Sequence, residues 1–256
     1  MSENRKFSVL MSVYVKENPA FLEEAVESIL HQTLKPSEVV IVEDGSLTPE
    51  LYQVLEKLTA QSSIPIKRCP LEQNRGLGLA LQYGVLQCQY DVIARMDTDD
   101  IAVEDRFEQQ FDLMEKENLD LLGGHIAEFI DQPDEIASYR RVPIKHEEII
   151  AYQRMRSAFN HMTVMFKKEM VLKAGNYEDG LYMEDDLLWL NMISAGARTG
   201  NVDQILCKVR VGAGMFERRG GLRYLKLYRQ ARQRMHARGQ ISYGEYLKSV
   251  LIQVVV

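Results

Sequence analysis

The chain has 256 residues, 46% of them hydrophobic and 27% charged, with 16 glycines, 7 prolines and a net charge of −6. That length supports a sizeable core, and the composition excludes disordered and fibrous classes. Three scattered cysteines, Cys69, Cys88 and Cys207, exclude a disulfide framework or a thiolate metal site. With no apolar run of about 18 residues and no signal-peptide pattern, the expectation is a soluble protein of a reducing compartment.

Phe7 to Tyr14 is a short apolar run ending in polar residues, which predicts a buried strand. Asn18-Pro19 then supplies a helix cap and a first-turn proline, and Leu22, Ala25, Val26, Ile29 and Leu30 recur at helical spacing. Val39 to Val42 is continuously apolar, as in a strand covered on both faces, and stops at Glu43-Asp44-Gly45-Ser46. A second helix is predicted through Leu51, Val54, Leu55 and Leu58, and a weaker strand over 64–71 closed by Asn74-Arg75-Gly76. Another helix runs through Leu79, Ala80, Tyr83 and Leu86, and a strand returns at Val92-Ile93-Ala94.

This alternation predicts an α/β fold with a doubly wound, mostly parallel sheet, whose ligands sit beyond the carboxyl ends of the strands. Those ends carry Ser12 and Tyr14, Glu43 and Asp44, and Asp97 to Asp100. Beyond a helix over 104–116 the pattern loosens. A strand over 162–166, a helix over 185–194 and a strand over 205–211 are predicted, without any linker, so the second half is expected to complete the same site.

Asp97-Thr98-Asp99-Asp100 offers hard oxygen ligands suited to Mg²⁺ or Mn²⁺ shared with a diphosphate, or equally an acidic cluster at a helix N-terminus. Glu184-Asp185-Asp186 has the same two readings, a general base or capping acids. His161 is an acceptor contact or a strand-end histidine. The chain has no Gly-x-x-x-x-Gly-Lys loop, no complete dinucleotide fingerprint and no Gly-x-Ser-x-Gly.

Residues 206 to 256 hold eleven bases and two acids, a charge of +9 on a body of −15. Such a tail predicts an anionic partner, or a solvated helix that only offsets the body. Its stripe of Tyr224, Leu227, Tyr228, Ala231 and Met235 predicts packing or surface docking.

Taken in order, the segments 8–14, 27–33, 40–46, Asn74-Arg75-Gly76, Ala94-Arg95-Met96-Asp97-Thr98-Asp99-Asp100 and Glu184-Asp185 resemble the inverting family 2 glycosyltransferases of the GT-A fold, over roughly residues 7 to 212. The resemblance implies a catalytic domain over 1–212, with a nucleotide-binding half to about residue 100, and a basic amphipathic segment over 213–256 that more sequence is expected to follow. It implies Asp185 as catalytic base with Glu184 beside it. Nucleotide-sugar contacts would come from Ser12, Tyr14, Asp44, Asn74, Arg75 and Asp97, and from Arg218 and Arg219, which with Arg210 would close over the diphosphate. Metal ligands would be Asp97, Asp99 and Asp100, and His161 would meet the acceptor.

Glu43 departs from the family's usual Asp, with little loss expected. The implied reaction is metal-dependent transfer of a hexose or N-acetylhexosamine, most simply from a UDP-sugar, to a saccharide hydroxyl on a lipid-diphosphate carrier. The implied setting is the inner face of the cell membrane, with an anionic lipid surface and not nucleic acid as partner of the tail. The competing readings are a sugar-phosphate nucleotidyltransferase, which should carry a Gly-rich basic loop after the first strand, and a silent binding protein, which has no chemical need for Asp97, Asp99 and Asp185.

Overall fold

A computed structural model describes residues 5–179, 183–212 and 221–255. The first half alternates as its sequence predicts: β1 (Phe7–Val13), α1 (Pro19–Leu30), β2 (Glu38–Glu43), α2 (Pro49–Gln61), β3 (Ile66–Pro70), α3 (Leu77–Gln87) and β4 (Val92–Arg95). Local chemistry sets the helix starts. Asn18 accepts a hydrogen bond from the Ala20 amide at 2.9 Å with Pro19 following, and Thr48 caps α2 ahead of Pro49.

The remainder is β5 (Ile101–Ala102), α4 (Arg106–Glu117), β6 (Leu121–Phe129), β7 (Ile136–Arg140), α5 (His146–Gln153), a 3₁₀ turn at His161–Thr163, β8 (Met165–Lys167), α6 (Lys168–Lys173), α7 (Glu184–Ser194) and β9 (Thr199–Arg210). Two helices follow, α8 (Gly221–Ala237) and α9 (Tyr243–Val255).

One sheet runs in the order β3-β2-β1-β4-β8-β6-β9-β5, with β7 on β6. β1 to β4 are mutually parallel, and β8 lies antiparallel to both β4 and β6. β6 and β9 therefore run with the first four strands, and only the short strands β5, β7 and β8 oppose them. The chain order reverses direction at β1, so a crevice opens beyond the ends of β1 and β4. Asp44 donates its amide to the Val13 carbonyl at 2.8 Å and Met96 to that of Leu10 at 3.1 Å, which brings the strand ends to one rim.

Sequence and structure part company in the second half. The segment expected as a strand over 162–166 begins as a 3₁₀ turn, because Thr163 folds its hydroxyl back onto the Asn160 carbonyl at 2.7 Å. β9 starts at Thr199, six residues before the apolar run. Its polar Asn201 donates to the carbonyls of Pro143 and Ala158.

The stripe on α8 turns inward. Met235 packs with Leu187 and Leu190 of α7 and with Ile241, while Tyr228 and Ala231 pack with Met183. Arg232 is fully buried, bonded to Ser249 and to the Arg154 carbonyl, and Arg238 pairs with Glu178 at 2.6 Å. No described helix is long and apolar enough to cross a membrane.

Candidate active site

The acidic tetrad caps no helix. It bridges β4 and β5, and α4 begins only at Arg106. The capping reading therefore fails for these four residues. Asp97, Asp99 and Asp100 each present an oxygen within 4.8 Å of the others. Such a cluster of hard oxygens fits a small divalent cation.

Burial and the Asp97 charge push the Asp99 carboxyl up to about 7, and burial together with Asp99 and Asp97 pushes Asp100 well above the usual carboxylate range. Groups so poised accept a cation readily, since its charge removes their repulsion. Asp100 Oδ1 is held by the Arg210 amide at 3.0 Å. The hydroxyl of Thr98 donates to Glu17, tying the tetrad to the loop after β1.

Asp44 sits where β2 ends. Its two carboxylate oxygens accept the amides of Arg75 at 2.7 Å and Gly76 at 3.0 Å, and Asn74 Nδ2 donates to its carbonyl at 3.1 Å. Gly45 has φ +84°, and a methyl there would lie 2.6 Å from the Asn74 amide, so this close approach requires glycine. Glu43 turns to Arg68 instead, at 2.6 Å, and the Arg68 guanidinium lies over the Tyr52 ring. The longer acid thus has a partner of its own while Asp44 keeps its place. Ser12 is partly covered on β1, with its carbonyl 3.5 Å from the Thr98 hydroxyl, and Tyr14 follows directly. Asn74 and Arg75 are exposed on the same rim.

The second acidic group arrives from α7. Burial, then Asp186 and Glu184, push Asp185 up to about 8, and burial also raises Glu184, which feels the charge of Asp97. The two acidic groups therefore face one another electrostatically. Asp186 is buried and accepts from Gln153 Nε2 at 2.7 Å, while Glu184 and Asp185 both lie within electrostatic reach of Arg95, the residue that precedes Met96 and Asp97. α3 and the 176–177 segment are laced together, Gln82 donating to the Tyr177 carbonyl and Asn176 to that of Gln82. The site thus spans β1, β2, β4, α3 and α7.

His161 is brought to its floor. Its Nε2 lies 3.0 Å from the hydroxyl of buried Tyr177, and its ring stacks edge-on near Trp189. Burial and nearby Arg95 hold its pKa well below the ordinary histidine value, so it is neutral at pH 7. Arg210 has partners within the chain. Its guanidinium lies between the rings of Phe21 and Phe129 at 3.8 and 4.6 Å and pairs with Glu24 at 2.6 Å. Arg218 and Arg219 lie outside the described residues.

Residues 8–179 match the family model for glycosyl transferase family 2. The chain belongs to that family. It is 46% identical over 222 residues to an uncharacterized glycosyltransferase of Haemophilus influenzae, covering 86% of this chain and 82% of that one. Identity is 42% to the amylovoran biosynthesis glycosyltransferase AmsE of Erwinia amylovora, over 86% and 82% of the two chains. It is 36% to an Escherichia coli UDP-Gal:alpha-D-GlcNAc-diphosphoundecaprenol beta-1,3-galactosyltransferase, over 98% and 90%.

Among solved structures, Staphylococcus aureus TarS 1-349 in complex with UDP-GlcNAc superposes with a TM-score of 0.65 at 17% identity, over 88% of this chain and 65% of that one. A Pyrobaculum calidifontis mannosyltransferase in complex with GDP-Man and Mn²⁺ gives 0.66 at 15%, over 88% and 62%. This family 2 glycosyltransferase has the GT-A fold, a curled, mostly parallel sheet flanked by helices, and its relatives include enzymes of polysaccharide biosynthesis.

Proposed function

We propose that this glycosyltransferase moves a hexose or N-acetylhexosamine, with inversion, from a UDP-sugar to a hydroxyl of a lipid-diphosphate-linked saccharide during surface-polysaccharide synthesis. The observation that carries the proposal is the meeting of two acidic groups from distant parts of the chain. Three carboxylates at the end of β4 lie within 4.8 Å of one another, and Glu184 of α7 is close enough to feel the charge of Asp97. The Escherichia coli relative's name supplies the donor and acceptor classes, at 36% identity over nearly the whole chain.

In this reading the uracil and ribose lie against Ser12, Tyr14 and Asp44, with Asn74 and Arg75 at the mouth. Asp97, Asp99 and Asp100 would hold Mn²⁺ or Mg²⁺. A bound cation neutralises the negative charge that grows on the departing nucleoside diphosphate. Asp185 takes the proton of the acceptor hydroxyl, whose oxygen attacks the anomeric carbon from the face opposite the diphosphate. The C–O bond to the diphosphate breaks with its electron pair going to phosphate, so one displacement inverts the centre. Neutral His161, anchored on Tyr177, would line the acceptor side as a hydrogen-bonding wall. Arg218 and Arg219 would reach the diphosphate from the segment after β9.

The lipid-linked acceptor calls for a membrane-facing surface, and the apolar residues Tyr228, Ala231 and Met235 of α8 are instead packed against Met183 and α7. α9 offers one instead. Tyr243, Leu247 and Leu251 are exposed in one row at four-residue spacing, with exposed Lys248 and Ile252 in the row beside it. Apolar residues beside cations suit an anionic bilayer surface. A panel of nucleotide sugars, with release of nucleoside diphosphate followed with and without Mn²⁺, tests the proposal. Turnover with a UDP-sugar that EDTA abolishes is expected, and turnover that EDTA leaves intact overturns the metal-dependent reading.

A further inference from the structure

The strand that delivers the acidic tetrad ends on a charge that the chemistry above does not use. Val92, Ile93 and Ala94 are apolar, yet β4 closes with Arg95, whose residue is 1% exposed. A guanidinium stays protonated in a protein, so one this deep persists only when it is paired. Its Nη1 donates to Asp97 Oδ2 at 2.7 Å and its Nη2 to Asp97 Oδ1, a two-pronged grip on a partly exposed carboxylate.

The grip is itself held from behind. Arg106 of α4, fully buried, donates from Nη2 to the Arg95 carbonyl at 2.7 Å. Its Nη1 reaches the sulfurs of Met96 and Cys207, and its Nε the Gln110 side chain. Arg95 also lies within electrostatic reach of Asp99 and Asp100 and of Glu184 and Asp185.

We propose that Arg95 is the positioning residue of the cation site, fixing the Asp97 carboxylate from the buried side so that its remaining lone pairs face the cation and the donor. A carboxylate has about four lone-pair directions and the fork occupies two. Without the fork, Asp97 is a partly exposed acid facing like charges on Asp99, Asp100 and Glu184, and repulsion turns it away from the cluster. A lysine in the same place keeps the charge but offers no planar fork, so it restores only part of the geometry. The inference rests on the metal-dependent reading above.

The test measures Mn²⁺ binding directly, by the electron paramagnetic resonance signal of free Mn²⁺ in the presence of UDP, beside steady-state kinetics. Wild-type protein that binds no Mn²⁺ sinks the metal-dependent reading, and the inference with it. With wild-type binding in hand, Arg95→Met is expected to weaken Mn²⁺ at least tenfold and to raise the donor KM similarly, with kcat at saturating donor and metal changed less than threefold. Arg95→Lys should fall between. Because both residues act through one carboxylate, the double variant Arg95→Met/Asp97→Asn should bind Mn²⁺ no more weakly than Asp97→Asn alone. Losses that multiply in the double variant overturn the inference. If Arg95→Met does not melt cooperatively, Arg95→Lys decides alone, and wild-type Mn²⁺ affinity in that variant overturns it.

Discussion

Gly78, in the first turn of α3, lies directly against Glu184, in the first turn of α7. A methyl group on Gly78 would stand 3.0 Å from Glu184 Cβ and 2.4 Å from the Glu178 carbonyl oxygen. The helix that follows Asn74-Arg75-Gly76 therefore touches the helix that carries Asp185, so packing links the proposed donor end to the proposed base.

Gly78→Ala forces α3 away from the segment of Glu178, because a backbone carbonyl cannot yield as a flexible side chain does, and it crowds Glu184 at the start of α7. Overpacking of this kind costs about 1–3 kcal/mol. The expected outcome is a melting temperature lower by several degrees and a clear loss of kcat. An unchanged kcat would mean that α3 and α7 act independently.

As the proposed base, Asp185 should set the pH behaviour. As a base it works only when ionised, so kcat/KM should fall as pH drops, and Asp185→Asn should cost on the order of 10²–10⁴ in rate. Stability should move the other way. A carboxyl whose folded pKa is raised, to about 8 here, supports the fold fully below the unfolded value and loses that support as pH rises through 8. Asp185→Asn should therefore stabilise the metal-free protein, and more at pH 9 than at pH 5. Thermal melts at the two pH values check the sign, since destabilisation at pH 9 would contradict it.

Asp44 binds two amides at the N-terminus of α3, and losing both bonds costs about 1–3 kcal/mol. Asp44→Ala should raise the KM for the donor at least tenfold with a smaller change in kcat. A purely structural role would instead lower the fraction of active protein and leave KM unchanged.

The membrane proposal makes a separable claim. Leu247→Ser with Leu251→Ser, on the exposed row of α9, should abolish flotation with anionic vesicles while transfer to a water-soluble acceptor stays unchanged. Flotation equal to wild type would remove α9 from the membrane contact.

The first hundred residues were legible because β1, β2 and β4 are short, largely apolar runs, while α1 and α2 show their caps in Asn18 and Thr48. Beyond residue 117 the same signals fail for physical reasons. β6 carries Gly123-Gly124-His125 in its middle, which reads as a loop, yet this stretch pairs with β9, the Gly124 amide and carbonyl bond the Thr163 and Asn160 side chains, and His125 finds Asp203 at 3.0 Å. The acidic clusters at 97–100 and 184–186 were legible as motifs at a strand end and a helix start. Arg95 stood in plain view without a role. A lone charge closing an apolar strand was the available sign, because such a charge must have a buried partner. The stripe on α8 identified an apolar face, and only the packing of Leu187 and Leu190 against Met235 tells what covers it.

The stereochemistry of the product tests the central claim most directly. Wild-type protein, Mn²⁺ and the α-linked donor UDP-galactose, given a GlcNAc-diphospholipid acceptor, should yield a disaccharide whose new linkage is β in the one-bond C–H coupling at the anomeric carbon. Asp185→Asn should yield none. An α-linked product would mean retention, and a single displacement with Asp185 as base would then be wrong.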